Sequence, residues 1–264
     1  MDEAFARTEL LLGEEALERL RHSRVLVVGL GAVGAAAAES LARTAVGTLV
    51  LVDFDVLRPS NMNRHPFAFT STLGQKKTSA AARILKDINP RLQVEEVPLF
   101  VDAATAPNLL AEHPSDVLID AIDSLLPKTE LLLAAQAAGH PCILSCMGAA
   151  RKLNPTRWTV ADLLDTRICP LAQLLRKRLR RRGVRRGIRC VFSLEPPQEQ
   201  EVPPEDEIPP DELDRGRRRA PMGSLHAVTA TAGTLTAATA IQYLLTSSRQ
   251  GMADGVANKI GTPS

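Results

Sequence analysis

With 264 residues, 45% hydrophobic and 23% charged, the chain can bury a sizeable core, which excludes disordered and disulfide-stapled classes. Six Phe, one Tyr and one Trp leave the core to Ala, Val, Leu and Ile and disfavour an aromatic platform for stacked bases. The formal net charge of +2 conceals a dipole: residues 176–189 hold nine Arg or Lys and no acid, and residues 195–214 hold nine acids and no base.

Short β-branched runs alternate with Ala-rich helical stretches through the first 150 residues. This is the pattern of a parallel sheet covered on both faces. Strands are expected at Arg24–Gly29, Thr48–Asp53, Leu92–Val97, Val117–Ala121 and Cys142–Ser145, with helices at Val33–Arg43, Gln75–Ile88 and Leu126–Ala138. Two further strands, Arg157–Val160 and Arg189–Ser193, flank a basic helix that begins at Pro170, a residue suited to the first helical position. In that helix Leu171, Leu174, Leu175 and Leu179 share a face and leave Arg176, Lys177, Arg180 and Arg181 outside.

Residues 196–210 carry six prolines among acids and are expected to form a mobile loop. From Ala220 to Ser248 no side chain among 29 is charged, a length that would cross a bilayer. Its Thr, Ala, Ser and Gly content argues instead for a helix buried in the protein or at a subunit contact. The fold class expected is therefore α/β: a Rossmann-like, mostly parallel sheet with helices on both faces, extended by extra strands and a basic helix.

Gly29-Leu30-Gly31-Ala32-Val33-Gly34 follows the first strand and opens a helix, and Asp53 closes the next strand 19 residues after Gly34. Glycines at these places let backbone N–H groups approach a phosphate, and the acid takes ribose hydroxyls. Alone, the motif indicates a nucleotide and no reaction. Chemistry at phosphorus needs cations, which hydride transfer does not. Beyond Asp53 and Asp55 come Asn61 and Arg64, then Lys76 and Lys77 at a helix start, then Asp120 to Asp123 at a strand end. The carboxyl ends of neighbouring parallel strands would bring these together. Taken singly, Arg64 and Lys77 read as loop cations, Asn61 as a turn residue and Asp123 as a helix cap.

In order and spacing these residues resemble the ThiF/MoeB superfamily of ATP-dependent carboxylate-adenylating enzymes. The resemblance implies ATP and Mg2+ as cofactors. Asp53 would bind ribose, Asn61 and Arg64 the phosphates, and Lys77 the triphosphate and transition state, while Asp123 would hold magnesium. Gly29, Gly31, Gly34 and Asp55 would complete the nucleotide site. Arg7 matches an arginine that reaches a neighbouring protomer's ATP, so a homodimer is expected. His65 stands where many relatives carry Gln. One ThiF-type domain over 1–264 is implied, with 1–150 the nucleotide-binding core and 151–248 an extension containing a flexible acidic loop, 196–214.

The second half is similar to something narrower. Ser145 to Ala149, Lys152 to Thr156, Val160-Ala161-Asp162, Cys169 to Ala172 and the Arg-rich helix resemble the tRNA threonylcarbamoyladenosine dehydratases, also called TcdA or CsdL. The implied reaction is ATP-dependent cyclisation of threonylcarbamoyladenosine at position 37 of tRNA, through an acyl-adenylate, with release of AMP and pyrophosphate. Arg176, Lys177, Arg180, Arg181, Arg182, Arg185 and Arg186 would then track the tRNA backbone. The same cations also read as a solvated helix face or one neutralised by the acidic loop.

Other readings remain open: adenylation of a sulfur-carrier or ubiquitin-like protein, a nicotinamide oxidoreductase, or a non-catalytic RNA-binding protein with a nucleotide fold. Relatives that activate sulfur carriers commonly hold two C-x-x-C zinc pairs, and the four cysteines at 142, 146, 169 and 190 form none. They read as packing residues in a reducing cytoplasm, and no catalytic cysteine is nominated. Trp158 reads as core. Sulfur-transfer proteins are conceivable further partners, and membrane association is not expected.

Overall fold

The computed structural model describes residues 3–201 and 222–257. In chain order the elements are α1 (Ala6–Leu12), α2 (Glu14–His22), β1 (Arg24–Val28), α3 (Ala32–Ala42), β2 (Thr48–Val52), α4 (Lys77–Ile88), β3 (Gln93–Val97) and α5 (Ala106–Glu112). They continue as β4 (Val117–Asp120), α6 (Leu125–Ala137), β5 (Ile143–Cys146), β6 (Trp158–Asp162), α7 (Pro170–Arg181), β7 (Ile188–Ser193) and α8 (His226–Ala257). The strands form one seven-stranded sheet in the order β3-β2-β1-β4-β5-β7-β6. Every pairing is parallel except β6 with β7.

Strand alternation explains why both faces are covered. On one side Val25, Val27, Leu49 and Leu51 pack with Ala35, Ala38 and Leu41 of α3, Leu85 of α4, and Ala237 and Ala240 of α8. On the other, Leu26, Val28, Val50 and Val52 pack with Leu109 of α5, Leu131 and Ala135 of α6, and Leu175 and Leu179 of α7. A central strand sandwiched in this way has no solvated face, so it reads as an unbroken apolar run.

The uncharged segment after Ala220 forms most of α8, whose face is small because it lies close against α3. A Cβ on Gly233 would fall 2.3 Å from the Val33 carbonyl oxygen and 2.7 Å from Ala36 Cβ. Thr, Ala and Gly suit a helix whose backbone nearly touches another. Among the described residues no helix is long and apolar enough to cross a membrane. The acidic, proline-rich stretch from 202 to 214 lies outside the described residues.

Three helices, α1, α2 and α5, have no counterpart among the expected elements. The seven residues of α1 and of α5 are too short to display a periodic apolar face convincingly. The stripe on α7 also differs from the expected one. Ala172, Leu175 and Leu179 are its buried residues, whereas Leu174 is 51% exposed. About 100° of helical rotation separates Leu174 from Leu175, enough to turn it out of the interface.

Candidate active site

The strand order reverses direction between β1 and β4, and at the carboxyl ends of the strands flanking such a reversal a parallel α/β sheet places its ligand crevice. Gly29 leaves β1 with φ +92°, and a Cβ on it would meet the Ala121 carbonyl at 2.9 Å. A Cβ on Gly34 would sit 1.8 Å from the Gly29 oxygen. These two glycines are required by close packing. Gly31 differs, because a Cβ there would meet nothing within 4 Å. It stands at the start of α3 without a side-chain cap, leaving the first N–H groups of that helix to the crevice.

Asp53 follows β2 and braces this turn. Its Oδ2 accepts from Leu30 N at 2.7 Å and its Oδ1 from Asp55 N at 2.8 Å. A carboxylate has about four acceptor positions, so ribose hydroxyls can still be accommodated. His65, buried, closes the turn from the opposite side. Phe67 N donates to Nδ1 at 3.1 Å, which leaves Nε2 to carry the proton and donate to the Leu30 carbonyl at 2.8 Å. Burial is the main force lowering its pKa to about 4; the Leu30 bond opposes it, while Lys77 and Arg64 add to the fall. Both nitrogens of the neutral imidazole are thus engaged within the protein.

The cations come from the segment that follows. Asn61 Oδ1 accepts from Arg58 N at 3.1 Å, and Arg64 is tied to its own loop through Ser60 O at 2.8 Å and Asn63 Oδ1 at 2.9 Å. This loop is stapled to the start of α8 by Asn63 Nδ2 to Ser224 O, 3.0 Å, and by the His226 ring nitrogen at Arg64 O, 3.0 Å. Lys77 opens α4 with its side chain 10% exposed, and its Nζ lies 2.8 Å from Asp55 Oδ2. Burial opposes ionisation of Asp55, yet Lys77, the Val56 N–H and Arg58 outweigh it and hold the carboxyl below its ordinary range.

Asp55, expected at the nucleotide site, is also engaged by the protein itself. Both its oxygens contact protein groups, Oδ1 Val56 N and Arg58 and Oδ2 Lys77, so its physical effect is to hold the Lys77 ammonium in one place.

At the end of β4 the structure adds a feature absent from the expected set. Asp120 and Lys128 are both fully buried and paired at 2.8 Å, with Ser145 Oγ donating to the same Asp120 oxygen at 2.8 Å. Burial raises the Asp120 pKa, opposed by Lys128 and Ser145. The turn beyond carries Asp123, exposed, with Ser124 Oγ at 3.3 Å from its Oδ1. On the far side of the crevice the segment after β5 is held by Glu195, whose carboxylate accepts from Leu153 N and Asn154 N at 2.9 Å each, while Lys152 donates to the Glu195 carbonyl.

Two groups of expected site residues lie away from the crevice. Arg7 sits on α1, whose preceding Phe5 packs with Leu17 and Ala45, just before β2 begins. That is the amino end of the strands, opposite the glycine turn. Helix α7 starts beside the crevice, where Leu171 lies 3.9 Å from the Cβ position of Gly148, and runs down the flank. Arg176 must be withdrawn from the exposed set: it is half-buried and donates to the carbonyl and hydroxyl of Thr166. Arg186 pairs with both oxygens of Asp165 at 2.9 and 3.0 Å, and Arg182 lies 3.7 Å from Glu130. Lys177, Arg180, Arg181 and Arg185 are exposed, with no ion pair among the described residues. The four cysteines are buried and unpaired, and burial pushes the Cys142 and Cys146 thiols up to about 11, which disfavours the reactive thiolate at those two. Trp158 is core.

Comparison with known proteins bears on this geometry. The model of the ThiF family matches residues 5–259. The tRNA threonylcarbamoyladenosine dehydratase of Bacillus subtilis is 35% identical over 241 residues, 91% of this chain and 94% of the relative. That of Escherichia coli is 33% identical over 261 residues, 94% of this chain and 96% of the relative. Crystal structures of the E. coli enzyme in complex with AMP and with ATP superpose with TM-scores of 0.82 at 31% identity, covering 94% of this chain and 96% of that one.

Proposed function

We propose, from the premise that the chain belongs to the ThiF family, that it is an ATP-dependent enzyme that cyclises threonylcarbamoyladenosine in tRNA through a carboxylate adenylate. The observation that supports this reading is the chain of contacts from Leu30 in the glycine turn to Asp53, from Asp53 to Asp55 and from Asp55 to Lys77, in a chain alike over 94% of its length to a dehydratase solved with ATP.

Hydroxide is a poor leaving group from a carboxylate. The substrate carboxylate therefore attacks the α-phosphorus of ATP and pyrophosphate departs. The neighbouring ureido group then attacks the acyl carbon, and AMP leaves carrying one oxygen of the original carboxylate. Since that nucleophile is already tethered to the acyl group, the protein needs to orient it and stabilise charge rather than supply a nucleophile.

In this reading Gly31 and the amino end of α3 receive phosphate, Asp53 receives ribose, and Asn61 and Arg64 neutralise the phosphates. Lys77, held in place by Asp55, stabilises the negative charge that builds at phosphorus. Asp123 fits a magnesium ion that travels with ATP, since such an ion needs one or two carboxylates beside phosphate oxygens and water. Among the described residues no group of three or more His, Cys, Asp or Glu would hold a metal unaided. When bound, the ion neutralises phosphate charge. The place of Arg7 at the opposite end of the strands suits a homodimer in which it serves the neighbouring copy's crevice. Lys177, Arg180, Arg181 and Arg185, with Arg182 and Arg186, lie along a flank that an RNA backbone can follow away from the crevice.

The test is AMP release from ATP with tRNA that carries the threonylcarbamoyl group, against tRNA that lacks it. AMP formation confined to the modified tRNA is expected. AMP formation driven by a small diglycine-ended protein, and by no tRNA, would transfer the chain to the sulfur-carrier branch.

A further inference from the structure

Resting on the reading above, we propose that Lys128 is a positioning residue: its ammonium ties the nucleotide side of the crevice to the substrate side. The notable feature is its surroundings. A fully buried ammonium has three N–H donors to satisfy, and here Asp120 Oδ2 at 2.8 Å, the Cys146 carbonyl at 2.8 Å and the Ile122 carbonyl at 3.0 Å take one each. One carbonyl, of Cys146, ends β5, and the other, of Ile122, lies two residues beyond the end of β4. Ile122 is followed by Asp123 on the nucleotide side, and Cys146 is followed by Met147 and Gly148 on the other.

The same knot extends to the glycine turn. Asp120 Oδ1 accepts from Ile122 N at 3.1 Å, and the Ala121 backbone is what a Cβ on Gly29 would strike at 2.9 Å. A shift in the 121–123 turn would therefore move both Asp123 and the phosphate-facing loop. Stability alone is a weak reason to keep such a pair, because a buried ion pair is often matched or bettered by apolar groups of similar volume. Geometry is the better reason. A displacement of about 1 Å of reacting groups costs on the order of a hundredfold in rate, and one ammonium bound to both strand ends prevents it.

The experiment compares Lys128→Met with the double variant Asp120→Asn/Lys128→Met in the full-length protein. The single variant leaves a buried carboxylate unpaired and is expected to lower Tm. In the double variant no charge is stranded, and the amide introduced by Asp120→Asn still offers an oxygen to Ile122 N. The expected result is that the double variant regains most of the Tm while kcat for AMP formation stays down roughly 10–100-fold with KM for ATP within about threefold. Hydrogen exchange at Ala121, Ile122 and Met147, whose N–H groups are bonded to Val28 O, Asp120 Oδ1 and Val191 O, should be faster in the double variant with the rest of the sheet unchanged. If kcat recovers together with Tm, or if exchange at those amides is unaltered, the bridge has no positioning role and the proposal falls. Should the unmodified protein make no AMP with threonylcarbamoylated tRNA, the functional reading fails instead, and the exchange measurement decides on the bridge alone.

Discussion

The crevice and the α7 flank are both rich in positive charge, and they hold it in opposite ways. In the crevice each buried ammonium has an acid beside it, Lys77 with Asp55 and Lys128 with Asp120, and the side chains of the two lysines are 10% exposed or less. On the flank Lys177, Arg180, Arg181 and Arg185 face solvent. A fixed charge in low dielectric acts on one atom at one place, whereas exposed charges are screened within about 10 Å at ordinary salt and act as a sum. Substitution should therefore be close to all-or-none in the first region and graded in the second.

The largest expected effect is at Lys77. Lys77→Ala should lower AMP formation by about a thousandfold, the scale for removing a preorganised group that meets transition-state charge, with tRNA affinity within a few fold. An active variant would remove the crevice from that side of the comparison. Next come the glycines, which separate packing from binding. Gly34→Ala must push a Cβ into the Gly29 carbonyl at 1.8 Å and should unfold or strongly destabilise the chain by thermal melting. Gly31→Ala meets nothing, so it should fold with nearly unchanged Tm and raise KM for ATP roughly tenfold, since a methyl group would stand where phosphate approaches the helix start.

Acid stability sharpens the contrast further. His65 has a pKa of about 4 when folded against 6.5 for an ordinary histidine, so between these values the unfolded chain binds the extra proton. Its contribution, roughly 3 kcal/mol, is present above pH 6.5 and lost as pH falls toward 4. Denaturant melts of the protein should show this acid limb, and His65→Gln, which keeps a donor for Leu30, should flatten it. The smallest effect per residue belongs to the flank. Neutralising Arg180, Arg181 and Arg182 together should weaken tRNA binding by about tenfold and reduce the slope of log affinity against log salt by about 2. Arg182 should contribute least, given Glu130 at 3.7 Å. An unchanged slope would show that tRNA does not follow α7.

Legibility from sequence follows the range of the interactions involved. Strands β1, β2, β4 and β5 stand where the largely apolar runs lie, because two-sided burial is written along such a strand, whereas β3, at the sheet edge, is the polar run Gln93–Val97. The glycine turn, Asp53 and Lys77 can be read because their order and spacing along the chain mark them, although the contacts that hold them reach 22 residues or more, from Leu30 to Asp53 and from Asp55 to Lys77. The ion pair of Asp55 leaves no mark in the local sequence, because its partner Lys77 is 22 residues distant. Arg176 looks exposed on a helical wheel, which does not register the Thr166 carbonyl ten residues earlier. Lys128 leaves one visible trace, a single cation among the leucines and alanines of α6, and a lysine placed there needs an acid. The anion is Asp120, eight residues before it, but the bond from Lys128 to the Cys146 carbonyl depends on strands that meet only in the folded sheet.

Adenylation of the substrate carboxylate is tested most directly by labelling its oxygens with heavy oxygen in threonylcarbamoylated tRNA and incubating with ATP. The account predicts one labelled oxygen in each AMP formed, together with loss of one water from the nucleoside. Unlabelled AMP, or a nucleoside of unchanged mass, would contradict it.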